Sequence, residues 1–291
     1  MREFEPVVEG LVFTECPRWH DGRVWYSDTH VGEVHRFDPV TGADEIVARH
    51  SSSVAGLGFL PDGRLLAVSS MARTLLRLEA SPNGASFVEH ADMSAVVGPW
   101  PCNDMAVDGR GNAYVGGFGY DIFGGAPMVP THLTLVTPDG DVRAVGDEVT
   151  FPNGTIIAPP GVTADGATLI VAETMSERLV AFTIADDGSL VDRRVYAHVE
   201  GMVPDGICLD AEGAVWVAHP RAGAVRVLPG GEVTDRIALD GRNIYACVLG
   251  GADRRTLYAC TGTTHDRDEA ARIRSARLEA VTVEVPGAGV P

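Results

Sequence analysis

Apolar residues in this chain come in short bursts bounded by turn formers, and the burst recurs six times. The cores are Val24-Trp25-Tyr26-Ser27, Leu65-Leu66-Ala67-Val68, Ala113-Tyr114-Val115-Gly116, Leu169-Ile170-Val171-Ala172, Val215-Trp216-Val217-Ala218 and Leu257-Tyr258-Ala259-Cys260, spaced 41 to 56 residues apart. A turn with Gly or Asp precedes each, as in His20-Asp21-Gly22, Pro61-Asp62-Gly63 and Ala164-Asp165-Gly166; such residues reach positive φ at little cost and mark hairpins. Two further alternating stretches follow in most copies, for example Glu33-Val34-His35-Arg36-Phe37 and then Glu45-Ile46-Val47-Ala48. Four short strands per unit at this period make a propeller blade. The pattern predicts an all-β, six-bladed β-propeller with four-stranded blades. Residues 1–291 are expected to form one domain, because repeats must close on one another to bury their faces. Pro6-Val7-Val8-Glu9 is expected to lend a strand to the last blade and so remove exposed edges. Helical periodicity is nearly absent; Asp266 to Arg274 is the nearest candidate and reads as a surface turn.

One polar position keeps the phase of the repeat. The first strand of each blade should line the central channel, and just upstream of the burst it carries Glu15, Asn103, Asn153 and Asp205 in four copies, with Gly56 and Tyr245 in the other two. Equivalent positions in a rotational repeat face one axis at one height, so two carboxylates and two amides converge. Oxygen donors without sulfur or imidazole favour a hard cation. Ca2+ is the first choice, with Mg2+, Mn2+, Zn2+ and Fe2+ as alternatives. Taken singly, Asn153-Gly154 and Asp205-Gly206 are turn signals. Four at one phase point to an axial metal site.

Composition narrows the partners. A formal net charge of −17 repels phosphate backbones and anionic headgroups, which argues against nucleic acid or a membrane surface. No stretch approaches the ~18 consecutive apolar residues of a membrane span, and Met1 to Pro6 lacks the apolar run of a signal peptide. Cys16, Cys102, Cys208, Cys247 and Cys260 show no CxxC spacing and read as small core residues in a reducing compartment. A cytoplasmic protein, monomeric or weakly homo-oligomeric, is expected.

The stretches Thr14-Glu15-Cys16-Pro17-Arg18-Trp19, Cys102-Asn103-Asp104-Met105-Ala106-Val107-Asp108, Phe151-Pro152-Asn153-Gly154 and Pro204-Asp205-Gly206-Ile207-Cys208-Leu209-Asp210 together resemble the gluconolactonase/regucalcin (senescence marker protein) family, in family order and over nearly the whole chain. The resemblance implies a six-bladed propeller, one divalent metal near the channel mouth, and hydrolysis of a small-molecule lactone or ester. It also implies roles: Glu15, Asn153 and Asp205 as metal ligands, Asn103 at metal or substrate, and Asp205 as the catalytic acid–base group. In one place the chain departs from the family. Sugar lactonases commonly carry Arg two residues before the Asn of the Asn-Asp pair, and here that residue is Pro101.

Rim residues are expected to shape the substrate pocket. The 116–131 insertion holds Phe118, Tyr120, Asp121, Phe123 and Met128, and long loops on a rigid scaffold often carry function. With Trp100 it would form an apolar lid, Pro101 would contact the substrate, and His219 and His30 would stand at strand ends near the metal, available for proton transfer. No Gly-x-Ser-x-Gly elbow and no dinucleotide fingerprint is present. The expected activity is metal-dependent opening of a lactone less polar than a sugar lactone, with Asp205 as general base. The alternatives are an aryl-esterase or organophosphate hydrolase on the same site, and a calcium-binding propeller without turnover.

Overall fold

The computed structural model describes residues 2–81, 84–122, 124–163 and 167–289. The turn at Ala164-Asp165-Gly166 and Phe123 of the rim insertion lie outside the described residues. Six antiparallel four-stranded sheets form the blades of a propeller. Their inner strands are Thr14–His20, Val54–Phe59, Cys102–Val107, Pro152–Ala158, Ile207–Leu209 and Asn243–Gly250. Neighbouring inner strands touch around the axis, and blade 6 meets blade 1. The N-terminal strand Glu5–Leu11 completes blade 6 by pairing with Ala276–Thr282, Glu5 opposite Ala280.

Burial explains the sequence pattern. Each second strand is covered on both faces by adjacent blades, so its apolar run is continuous: every residue of Leu65–Ser69 and Thr168–Glu173 is buried. Fourth strands lie at the perimeter and alternate, and in Ala43–Arg49 only Ala48 is buried. The core therefore sits between blades rather than within them. Ile156, Ile170 and Leu179 of blade 4 pack on Ile207, Val215 and Val225 of blade 5, each full burial contributing about 1.5–3 kcal/mol. All five cysteines are buried and free.

The 266–274 segment is helical, contrary to expectation. Arg267–Ile273 is a helix because Asp266 caps it, accepting from Glu269 N at 2.9 Å, and Arg274 closes it in the left-handed conformation. No helix among the described residues is long and apolar enough to cross a membrane.

A β-bulge sits at the repeat's polar position. The pairing of first and second strands shifts register between Val54 and Leu57, Cys102 and Met105, Pro152 and Thr155, and Ile244 and Ala246, and directly after Glu15 in blade 1. Bulges re-aim a side chain out of the ladder, here toward the axis. The glycines after Asn153 and Asp205 have a separate cause. A Cβ on Gly154 would lie 2.5 Å from Ile207 N, and one on Gly206 2.4 Å from Ala246 Cβ. Asn153-Gly154 and Asp205-Gly206 are thus points of close blade-to-blade approach and not hairpin turns. The same constraint corrects blade 2. Gly56 abuts the backbone of Met105 at 2.8 Å for a built Cβ, and its neighbour Ala55 occupies the axial phase.

Candidate active site

The bulges bring Glu15, Ala55, Asn103, Asn153 and Tyr245, and the segment just before Ile207–Leu209 brings Asp205, held by its N–H on Ala218 O at 3.0 Å, to a single cavity of about 1230 Å³ at one end of the channel. Asn103 Nδ2 donates to Asn153 Oδ1 at 3.1 Å, and Asn153 Nδ2 donates to Thr174 Oγ1 at 3.1 Å. Thr174 Oγ1 donates in turn to Pro204 O at 2.8 Å, so a chain of bonds runs from blade 3 through blade 4 to the residue before Asp205. Gly206 N donates to Tyr245 O at 2.8 Å, and Asn243 Nδ2 to the Tyr245 hydroxyl at 3.0 Å. The amides are thereby oriented by neighbouring blades. Asn103 Oδ1 has no partner among the described residues.

The two carboxylates are poorly neutralised. Burial, then the charges of Asp205 and Asp104, hold the Glu15 carboxyl well above its usual range. Burial, with Asp104 adding to it, pushes Asp205 up to about 8 against relief from Asn153 and Gly206 N. Arg18, the nearest guanidinium, is committed to Asp104 at 2.6 Å. Like charges buried together without a counter-ion raise one another's pKa. Two such carboxylates beside two amide groups make a donor set that fits a hard divalent cation.

A second cluster, Asp28, Glu33 and His35, brings its ligand atoms within 4.8 Å of one another. Its groups are already engaged. Asp28 accepts from Val12 N and Phe13 N at 2.9 and 2.8 Å, while His35 bonds Asp44 at 2.8 Å and Glu33 at 3.4 Å. These carboxylates pull the His35 pKa up against its burial.

Above the axial floor the wall divides by blade. On the side of blades 2 to 4 stand Met71, Pro101, Phe118, Ile122, Phe151 and Met175, with Phe118 stacked on Phe151 at 5.0 Å and 4°. Ser51 to Ser53 lead into blade 2 and give its edge of the wall a polar stretch. On the other side are Arg221, Asn243 and the 263–267 segment. His30 lies on this side, stacked on Phe13 at 4.5 Å and bonded through Nε2 to His265 O at 3.0 Å. Burial lowers its pKa, with Arg267 adding to the effect.

Of the expected substrate-pocket residues, Pro101 and Phe118 line the cavity, whereas Trp100, Tyr120, Asp121 and His219 do not. Tyr120 is buried behind Phe151 at 6.2 Å. Asp121 is spent on its own loop, its Oδ1 accepting from Gly124 N at 2.8 Å and its carbonyl from Ala126 N at 2.9 Å. His219 ends a second strand, and the next two residues, Pro220 and Arg221, reach the wall in its place. Sequence reasoning missed Phe151, Ile122, Arg221, Arg267 and Ser51 to Ser53. Only Phe151 carried a signal, as the residue beside the Pro152-Asn153-Gly154 motif, where its φ of 51° turns the chain into the bulge.

The profile of the SMP-30/Gluconolactonase/LRE-like region matches residues 13–263. The chain belongs to that family. Pentonolactonase XacC of Haloferax volcanii is 26% identical over 265 residues, covering 87% of this chain and 84% of the relative. The 6-deoxy-6-sulfogluconolactonase of Pseudomonas putida is 27% identical over 298 residues, covering 96% and 94%. Among solved structures, a calcium-binding protein, regucalcin, from Agrobacterium tumefaciens superposes with a TM-score of 0.77 at 20% identity, covering 99% of this chain and 94% of the other.

Proposed function

We propose that this protein hydrolyses lactones, with Asp205 as general base beside a single divalent cation. The observation that carries the reading is the meeting of Glu15, Asn103, Asn153 and Asp205 on one cavity floor, with both carboxyl pKa values forced up for want of a counter-charge. Glu15, Asn153 and Asp205 would hold the cation, Ca2+ foremost, with Asn103 at the cation or the substrate. When bound, the cation supplies Lewis-acid polarisation of the substrate carbonyl and restores the carboxylate form of its ligands.

Asp205 accepts a proton from water as the water oxygen attacks the lactone carbonyl carbon. The ring C–O bond then breaks, the proton passes from Asp205 to the leaving ring oxygen, and the product is the open hydroxy acid. Asn103, fixed through its nitrogen on Asn153, keeps Oδ1 for the attacking water or a ring substituent. Tyr245, whose pKa burial pushes up to about 12, stays protonated and offers a donor to developing negative charge.

The names of the two lactonase relatives support the reaction class, and the calcium-binding relative supports the ion. The apolar wall of Pro101, Phe118, Ile122 and Phe151 supports a lactone less polar than a sugar lactone, since a hydroxyl buried there without a partner costs on the order of 1–3 kcal/mol. The test is a panel of gluconolactone, alkyl-substituted γ-lactones and dihydrocoumarin, each assayed with chelator and again after Ca2+ is restored. Hydrolysis above the spontaneous rate that disappears with chelator is expected. No acceleration on any of them would sink the reading.

A further inference from the structure

Guanidinium groups are scarce at the cavity, and the two present, Arg221 and Arg267, are singular. The chain has 23 basic residues against 40 acids, and none of the 23 is lysine. Most of these guanidinium groups are committed within the protein: Arg226 to Asp210 and Glu212, Arg193 to Glu173, Arg242 to Thr261 and the Ser275 carbonyl. Arg221 and Arg267 are exposed on the cavity wall and make no hydrogen bond or ion pair with any described residue. Asp266, the acid beside Arg267, uses its Oδ1 to cap the following helix.

Their placement is specific. Arg221 adopts φ +82°, the largest positive φ of the non-glycine residues described, in a turn closed by Ala222 N to His219 O at 3.1 Å. Glycine would fold there more easily, so the turn holds a guanidinium at a steric cost. In a six-bladed ring, blades 5 and 6 stand opposite blades 2 and 3. Arg267 follows the second strand of blade 6 and so stands across the axis from Pro101 and Phe118 of blade 3, while Arg221 follows that of blade 5 and stands across from Met71 of blade 2. A guanidinium matches the planar fork of a carboxylate. A local basic pair also offsets the field of a strongly acidic protein that would otherwise turn anions away.

We propose that Arg221 and Arg267 are an anion-recognition pair, and that the lactone opened here carries an anionic substituent, such as a side-chain carboxylate, at the end remote from the apolar wall. The proposal rests on the lactonase reading and adds the charge of the substrate to it.

The test compares a γ-butyrolactone bearing a side-chain carboxylate with the matched carboxamide, using the Ca2+-loaded protein and its Arg221→Gln, Arg267→Gln and double variants. Wild-type protein should favour the carboxylate by about tenfold in kcat/KM, carried by KM, and the ratio should fall to about one in the double variant. A wild-type ratio near one would overturn the pair. So would a preference that survives in the double variant, because the anion would then be read by the axial cation. Calorimetric titration with a cyclopentanone carrying the same carboxylate, which cannot be hydrolysed, separates the two readings. If no lactone turns over but wild type binds this ketone tenfold tighter than the double variant, lactone hydrolysis fails while the anion pair stands. Equal binding overturns the pair whatever the turnover.

Discussion

Arg18 of blade 1 reaches Asp104 of blade 3 with Nη2 2.6 Å from Oδ1, and both side chains are less than a tenth exposed. The same Nη2 donates to Met105 O at 2.6 Å, and Asp104 Oδ2 accepts from Thr155 N of blade 4 at 3.3 Å. One buried ion pair thus ties three blades beside Glu15 and Asn103. Its removal from one side leaves an uncompensated charge in the interior. Asp104→Asn should cost about 3–5 kcal/mol of unfolding free energy, read by denaturant titration. The double change Arg18→Met/Asp104→Leu should recover much of it. An Asp104→Asn loss below about 1 kcal/mol would mean that the pair is solvated.

The axial residues differ in what each should lose. Glu15→Gln and Asn153→Ala remove charge or an oxygen donor, so calorimetry should find divalent-ion affinity reduced in both. Asp205→Asn keeps an oxygen but cannot take a proton from water, and kcat should fall by about 10²–10⁴ even at saturating Ca2+. Undiminished affinity in all three variants would show that the axial floor has been misassigned; full turnover in Asp205→Asn would remove it from the base role.

Stability should depend on pH in a defined direction. The folded-state pKa of Asp205 is raised from 3.8 to about 8, and that of Glu15 is raised as well. A carboxyl raised in this way favours the folded state below its unfolded pKa, and the benefit is lost as pH climbs through the folded value. Cation-free protein should therefore lose stability from roughly pH 4 to 8, while the rise in Tm on adding Ca2+ should grow over the same window. Melting curves with chelator and with Ca2+ at the two ends of that range decide it. A Ca2+ increment that is constant or shrinks with pH would place the cation elsewhere.

Phe118 and Trp100 should behave differently although both were expected at the pocket. Phe118 lines the cavity and stacks on Phe151, whereas Trp100 is off the wall. Phe118→Ala should lower kcat/KM for an alkyl-substituted lactone relative to unsubstituted γ-butyrolactone by about tenfold, as expected from about two lost methylene contacts. Trp100→Ala should leave that ratio alone. The reverse pattern would relocate the apolar wall.

The repeat was legible because second strands are buried on both faces and so advertise themselves as unbroken apolar runs; the closing strand at Pro6-Val7-Val8-Glu9 is mostly exposed and showed only through its pair of valines. The axial residues were legible because they share a phase. That phase misled by one residue in blade 2, where Ala55 and not Gly56 faces the axis, because the turn there opens at Leu60 and not at Pro61: Leu60 N donates to Arg64 O as Asp108 N does to Asn112 O in blade 3. Rim positions were harder. Arg221 and Arg267 occupy connections of unequal length whose conformation is set by individual φ angles and caps, and Tyr120 and Asp121 look like pocket residues in sequence yet serve their own loop.

The pairing of Glu5 with Ala280 also bears on how the molecule comes into being. During synthesis the first strand leaves the ribosome with its partner still unmade, so Glu5–Leu11 must wait for almost the entire chain before its hydrogen bonds can form. Blades 1 to 5 can assemble from neighbouring hairpins as they emerge, but the circle cannot shut until the final strand arrives, and contacts this distant in sequence slow folding. The half-built ring presents the uncovered apolar face of a blade at each end. A nascent chain stalled a few residues short of Ala276–Thr282 is therefore the species most exposed to aggregation, and an ion that bridges blades 1, 4 and 5 would draw the open arc toward closure before the last strand locks it.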